Sequence, residues 1–201
     1  MSELFAGRQH DSLLPAASRS AVCRKALWGV LFCVALSASI AGRLNAQAKT
    51  GTPLSNGTAL YARLVRLSHN ADATKNGTIV ASVTAFPAGS SAEDIYTSTD
   101  GNNFSLIGSI TDPDFSGGLC CGTLYELPSK VGSLAPGTLL WAGSVGQSST
   151  TQAMQIKVYE SADEGASWTY LSNCATGTAP GTTSGGLWEP AFTVASDGAL
   201  V

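Results

Sequence analysis

The sequence predicts an all-β protein assembled from repeated four-stranded units, and three observations predict it. Turns led by Gly77, Gly137 and Gly198, 60 and 61 residues apart, each precede an apolar run: NGTIVASV, PGTLLWAG and DGALV. Acidic turns recur at Asp100 and Asp163, 63 residues apart. Between these marks apolar residues alternate with period two and β-branched residues are frequent, while no stretch after residue 49 has helical periodicity.

Taken in chain order, the first element is a leader. Arg24 and Lys25 close a basic stretch, the apolar run ALWGVLFCVALSASIAG follows, and the small-residue site NAQA ends at Ala48. That order predicts a signal-peptide helix over residues 1–48, cleaved after Ala48, and hence a secreted or periplasmic protein with no membrane contact once processed. As a permanent anchor, Ala26 to Gly42 is short for a span of about 20 residues and is diluted by Ser and Gly.

Residues 49–201 then read as strands. The first unit places them at 62–68, 77–86, 94–99 and 104–110, and the second at 123–128, 137–146, 155–161 and 168–174. AFTVAS and DGALV open a third. A four-stranded unit recurring at this length is the blade of a β-propeller, so the fold class is a partial propeller of about two blades plus the start of another. Closing a ring takes roughly 4 to 8 blades, so the chain is expected to be the N-terminal fragment of a longer product.

Composition excludes several functions. After the leader, six Lys and Arg face twelve Asp and Glu, and such a surface repels a phosphate backbone, so no nucleic-acid partner is expected. His69 is the only histidine left and no C-x-x-C occurs, which argues against a zinc site and weakens any Ser-His-Asp triad. No metal or other cofactor is expected. In an exported protein, one of Cys120 and Cys121 joined to Cys174 is the leading disulfide, with the third thiol free or paired outside the chain. Of the sequons at Asn56, Asn76 and Asn103, the first two are Asn-Gly turns in their own right.

The stretch SADEGASW places Ser161, Asp163, Gly165 and Trp168 in an S-x-D-x-G-x-x-W pattern. STDGNNF repeats it in degenerate form with Ser98, Asp100 and Phe104. The chemistry is that of a turn: the carboxylate accepts from its own backbone N–H groups, glycine permits positive φ, and the aromatic packs back between strands. Too few oxygens stand in register for calcium.

This pattern resembles the Asp-box, or BNR repeat, of the sialidase superfamily. GGLWEPAF at 185–192 and YARLVRL at 61–67 resemble the G-L-W-E-P-E-F and Y-P-R-x-x-R-L segments of secreted sialidase-like glycosidases, exo-arabinanases among them. The resemblance covers nearly all of residues 58–201 and implies a six-bladed glycoside hydrolase acting on the terminal sugars of extracellular glycans or polysaccharides. Ala62 replaces the usual Pro, and Ala191 stands where a second Glu is expected.

In a propeller the 3–4 turns lie on one face, and loops 2–3 with the blade-to-blade crossings lie on the other, where binding groups gather. Glu189 is there the candidate catalytic carboxyl: a partly desolvated general acid, or a rim carboxylate bonded to backbone. Trp188 is a sugar platform or a packing residue. Arg63 holds a substrate through its planar fork or pairs with a neighbouring acid. Asp112 and Asp114 bind substrate opposite Glu189, or form an Asp-Pro-Asp turn. The rival to a hydrolase is a non-catalytic propeller that binds glycan or protein. The sequence leaves the oligomeric state open.

Overall fold

The computed structural model describes residues 53–55, 57–182 and 186–201. The leader expected over 1–48 lies outside them, as do Asn56 and Gly185. The described residues belong to one compact unit. Among the described residues there is no α-helix, and no helix long and apolar enough to cross a membrane.

Eight strands make two antiparallel sheets. The first is β1 (Ala59–Arg66), β2 (Ile79–Ala85), β3 (Ala92–Ser98) and β4 (Ser105–Ile110), paired in sequence order. The second repeats that order with β5 (Leu119–Glu126), β6 (Leu139–Val145), β7 (Ala153–Ser161) and β8 (Thr169–Pro180). A third unit begins as a hairpin, in which Val194 bridges Leu200 and the Thr193 N–H donates to the Val201 carbonyl at 2.8 Å. The architecture is all-β and the partial propeller stands.

The boundaries depart from the periodicity at the strand heads. β1 starts three residues before the predicted 62, and β5 four before the predicted 123, because in each the ladder continues beyond a register shift, Leu60/Arg63 and Cys120/Thr123. β8 runs on to Pro180 past three register shifts against β7. Alternation cannot be followed through a bulge, since the extra residue inverts the faces.

The core lies in the seam between the sheets. Val80, Ile95 and Ile110 of the first sheet meet Leu119, Leu124, Leu139, Trp141 and Tyr159 of the second. Phe115, from the crossing between them, stands 6.1 Å from the Trp141 ring and 6.2 Å from the Tyr159 ring. β2 is buried along its length: Val80 faces the seam, and Ala81 and Val83 support a second cluster with Tyr96 on the opposite face.

The 3–4 turn of the second sheet docks onto the first at van der Waals distance. A Cβ placed on Gly108 of β4 would stand 2.7 Å from the Ala166 carbonyl oxygen and 2.9 Å from that of Gly165. Only a glycine lets the two backbones approach so closely. Asn70 Nδ2, in the 1–2 turn of the first sheet, donates to Glu164 of the same docking turn at 2.7 Å.

The cysteine pairing differs from expectation. Cys120 is bonded to its neighbour Cys121, and Cys174 is free and exposed. The cause is topological. Cys120 and Cys121 lie on β5 and Cys174 on β8, at opposite edges of one sheet. Three strand spacings of about 4.8 Å separate them, about 14 Å, twice the reach of a disulfide.

Gly108→Ala is expected to destabilise the protein by about 1–3 kcal/mol, since neither backbone oxygen can yield to the methyl without parting the sheets. Chemical denaturation measures it, and an unchanged midpoint would show that the turn does not dock as described.

Candidate functional site

The inner strands share a backbone device. Among the described residues, four that are not glycine have positive φ: Tyr61 at 51°, Cys121 at 61°, Glu164 at 59° and Glu189 at 52°. Three of them head an inner strand. Tyr61, Cys121 and Glu189 each lie six residues before the one that closes the 1–2 turn, respectively Leu67, Leu127 and Ala195. The closures match: Gly77, Gly137 and Gly198 donate their N–H to those carbonyls at 2.7, 2.9 and 2.9 Å. In β1 and β5 the left-handed residue lies within the bulge. Left-handed backbone at a bulky residue costs on the order of 1–3 kcal/mol and is kept where the surroundings or a function require it.

Glu189 is exposed, without a hydrogen-bonding partner among the described residues. No segment among the described residues covers it. Trp188, 54% exposed, folds back over Gly186 instead of packing between sheets. Phe192 anchors this segment: its ring stands 6.0 Å from that of Tyr125 on β5 and packs against Ala142, Ile156 and Val158. Arg63 is half-buried, its Nη1 donates to the Ala62 carbonyl at 3.3 Å, and no acid among the described residues pairs with it.

Asp112 and Asp114 meet a lysine. Lys157 Nζ, on buried β7, donates to Asp112 Oδ1 at 2.8 Å and Oδ2 at 2.9 Å, and reaches Asp114 Oδ2 at 2.7 Å. Tyr159 Oη also donates to Asp112, which accepts the Asp114 N–H at 2.8 Å in turn. Burial pushes the Asp112 carboxyl up, but the bonds from Lys157 and Tyr159 outweigh it and hold it below the usual range. Both aspartates thus tie the crossing between the sheets to β7.

The acidic turns are closed by their own carboxylates. Asp163 accepts from the Ser161 hydroxyl at 2.8 Å and the Ser167 N–H at 2.9 Å, Gly165 N–H donates to Ser161 Oγ at 2.9 Å, and Trp168 Nε1 donates to the Gly165 carbonyl at 3.0 Å. Asp100 does the same with Ser98 and the N–H groups of Asn102 and Asn103. The Asn103 N–H bond is the largest of several that hold its carboxyl far below the ordinary range. Phe104 packs beside Ala81, Val83 and Tyr96.

Two constellations went unread in the sequence. Glu126, 6% exposed, accepts from the Ser68 and His69 N–H groups, and both its Oε2 and Ser68 Oγ face His69 Nδ1, at 3.1 and 2.9 Å. A Ser-His-acid relay uses both imidazole nitrogens, so this group caps a turn and is no triad. The other is Glu93, fully buried in the seam at the head end of the first sheet, where Thr84 Oγ1 donates to its Oε2 at 2.9 Å. Its Oε1 has no partner, and a Cβ on Gly122 would lie 3.0 Å from that oxygen and 2.8 Å from the unpartnered Trp141 Nε1. Burial raises the Glu93 pKa to about 7, opposed by the hydrogen bond from Thr84. The strand predicted over 94–99 leaves Glu93 outside it, whereas β3 begins at Ala92 and puts Glu93 on the same face as Ile95. Among the described residues no three His, Cys, Asp or Glu side chains gather as a metal would require.

Comparison with solved structures follows from this geometry. A GH93 α-L-arabinofuranosidase of Fusarium graminearum, solved with arabinobiose, superposes with a TM-score of 0.56 and 27% identity over 72% of this chain and 41% of that one. The α-L-arabinofuranosidase Arb93A of the same fungus, with an iminosugar inhibitor, gives 0.55 and 28% over 69% and 38%. A Penicillium chrysogenum α-L-arabinanase with arabinobiose gives 0.57 and 28% over 69% and 38%. The chain thus has the fold of β-propeller arabinanases and spans about two fifths of their length. No protein-family model and no curated protein matches the sequence.

Glu93 binds more protons folded than unfolded between its ordinary value of 4.5 and about 7, so its contribution to stability falls as pH rises through that window. Glu93→Gln is therefore expected to be nearly neutral at pH 4 and more stable than wild type at pH 8 by up to about 3 kcal/mol. Urea denaturation at both pH values measures it, and an equal difference at both would contradict the raised pKa.

Proposed function

We propose that this chain is the N-terminal part of a secreted glycoside hydrolase that removes terminal sugars from arabinose-containing polysaccharide. The supporting observation is the likeness to arabinanases solved with arabinobiose, joined to the left-handed Glu189 at an inner-strand head. Glu189 is the catalytic carboxyl, protonating the leaving oxygen or serving as base, and Arg63 and Trp188 hold the sugar through hydrogen bonds and ring stacking. Cleavage of this kind uses two carboxyl groups, and the second is proposed to come from outside residues 53–201. SADEGASW and STDGNNF are Asp-boxes whose role is to close and dock turns. The leader over 1–48 directs export.

Ala191 supports a second reading, a non-catalytic propeller that binds glycan, because the matching segment of the glycosidases carries a carboxylate there. One experiment separates the two. The full-length product recovered from the medium, reading from Lys49, is expected to hydrolyse arabinan. Glu189→Gln is expected to lower kcat on the order of 10²–10⁴-fold with the fold intact. Arabinan binding without turnover would favour the binding module, and unchanged turnover in the variant would remove Glu189 from the chemistry.

A further inference from the structure

We propose that Tyr61 contacts the sugar and sets specificity at the same mouth as Glu189, an inference that rests on the glycosidase reading above. Tyr61 and Glu189 occupy one position of a structural repeat, six residues before the closures at Leu67 and Ala195, and share the left-handed conformation at φ 51° and 52°. Their inner strands flank β5: β1 packs beside it on one side, and on the other the Phe192 ring stands tilted 6.0 Å from that of Tyr125. β1 and β5 run the same way, since Gly137 of one 1–2 turn abuts His69 and Asn70 of the other while Gly122 abuts Glu93 at the heads; the repeat, continued into the third unit, brings Glu189 to the end where Tyr61 emerges.

The backbone conformation alone does not require a tyrosine, because glycine adopts positive φ without strain. At the middle head, Cys121 is 3% exposed and tied covalently to Cys120, which accounts for its conformation. Tyr61 has no such tether. It is 39% exposed, and its hydroxyl has no partner among the described residues. The register shift between Leu60 and Arg63 takes it out of the ladder, two residues from a guanidinium that lacks an acidic partner. A flat ring with a free donor and acceptor, two residues along the chain from a planar cation and at the repeat position that Glu189 also holds, suits a neutral sugar that offers C–H faces and hydroxyls. The competing role is packing, since Tyr61 also lines a groove of about 530 Å³ with Leu54, Ala59 and Val83.

The test uses the full-length protein, arabinobiose hydrolysis and thermal denaturation. Tyr61→Gly is expected to keep or raise Tm, because the strain is relieved, and to raise KM roughly tenfold with kcat within about threefold, the loss of one aromatic contact. Tyr61→Phe is expected to keep the ring's share of binding and lose the hydroxyl's, giving an intermediate KM. A fall of several degrees in Tm for Tyr61→Gly with KM unchanged would make Tyr61 a packing residue and overturn the inference, while the glycosidase reading stands. A wild type that neither cleaves nor binds arabinobiose would overturn both.

Discussion

The structure depends on the seam in which Trp141, Phe115 and Tyr159 pack against Val80 and Ile95. Aromatic side chains of this size, fully enclosed, contribute about 3–5 kcal/mol each when judged by truncation, well above any exposed ion pair in the molecule. The seam is also short-range: Gly108 and Gly165 bring two backbones into contact, so the second sheet has one seating on the first. That seating sets β1 beside β5 with their 1–2 turns at one end and their heads at the other. Without it, the heads of β1 and β5 would have no fixed relation.

The two ends of the sheets differ accordingly. At one end the turns are short and satisfied, with Asp100, Asp163 and Glu126 each absorbing the N–H groups of a turn. At the other end the backbone is left-handed at three heads, a carboxyl is buried with one oxygen unpartnered, and a lysine buried on β7 is needed to pin the crossing. Strain and unsatisfied polarity gather where the proposed chemistry is. A chain selected for stability alone would place glycine at the heads and an apolar residue at 93.

Much of the fold was legible because its signals are local and repeated. Glycine spacing gave the unit, alternation gave the eight strands, and Asp, Gly and Trp at fixed offsets gave the closed turn. What could not be read depends on backbone torsion or on which edges of a sheet two residues occupy. The bulges at Tyr61 and Cys121 leave no compositional mark, so β1 and β5 were started late. That Cys174 lies beyond disulfide reach of Cys120 and Cys121 follows from β5 and β8 being opposite edges of one sheet, which spacing along the chain does not encode. Asp112 and Asp114 could be placed on the crossing, but their engagement with Lys157 needed the third dimension. Glu189 is a candidate from its W-E-P context, whereas its exposure depends on which segments pack over it.

The central claim is that the seam gathers the inner-strand heads around one mouth that takes a sugar. A crystal structure of the full-length protein soaked with arabinobiose tests it most directly. The account predicts the sugar at the head end, with Glu189 and Arg63 within hydrogen-bond distance. Arabinobiose bound at the end that carries Asp100 and Asp163, or Glu189 and Arg63 pointing away from a common axis, would contradict it.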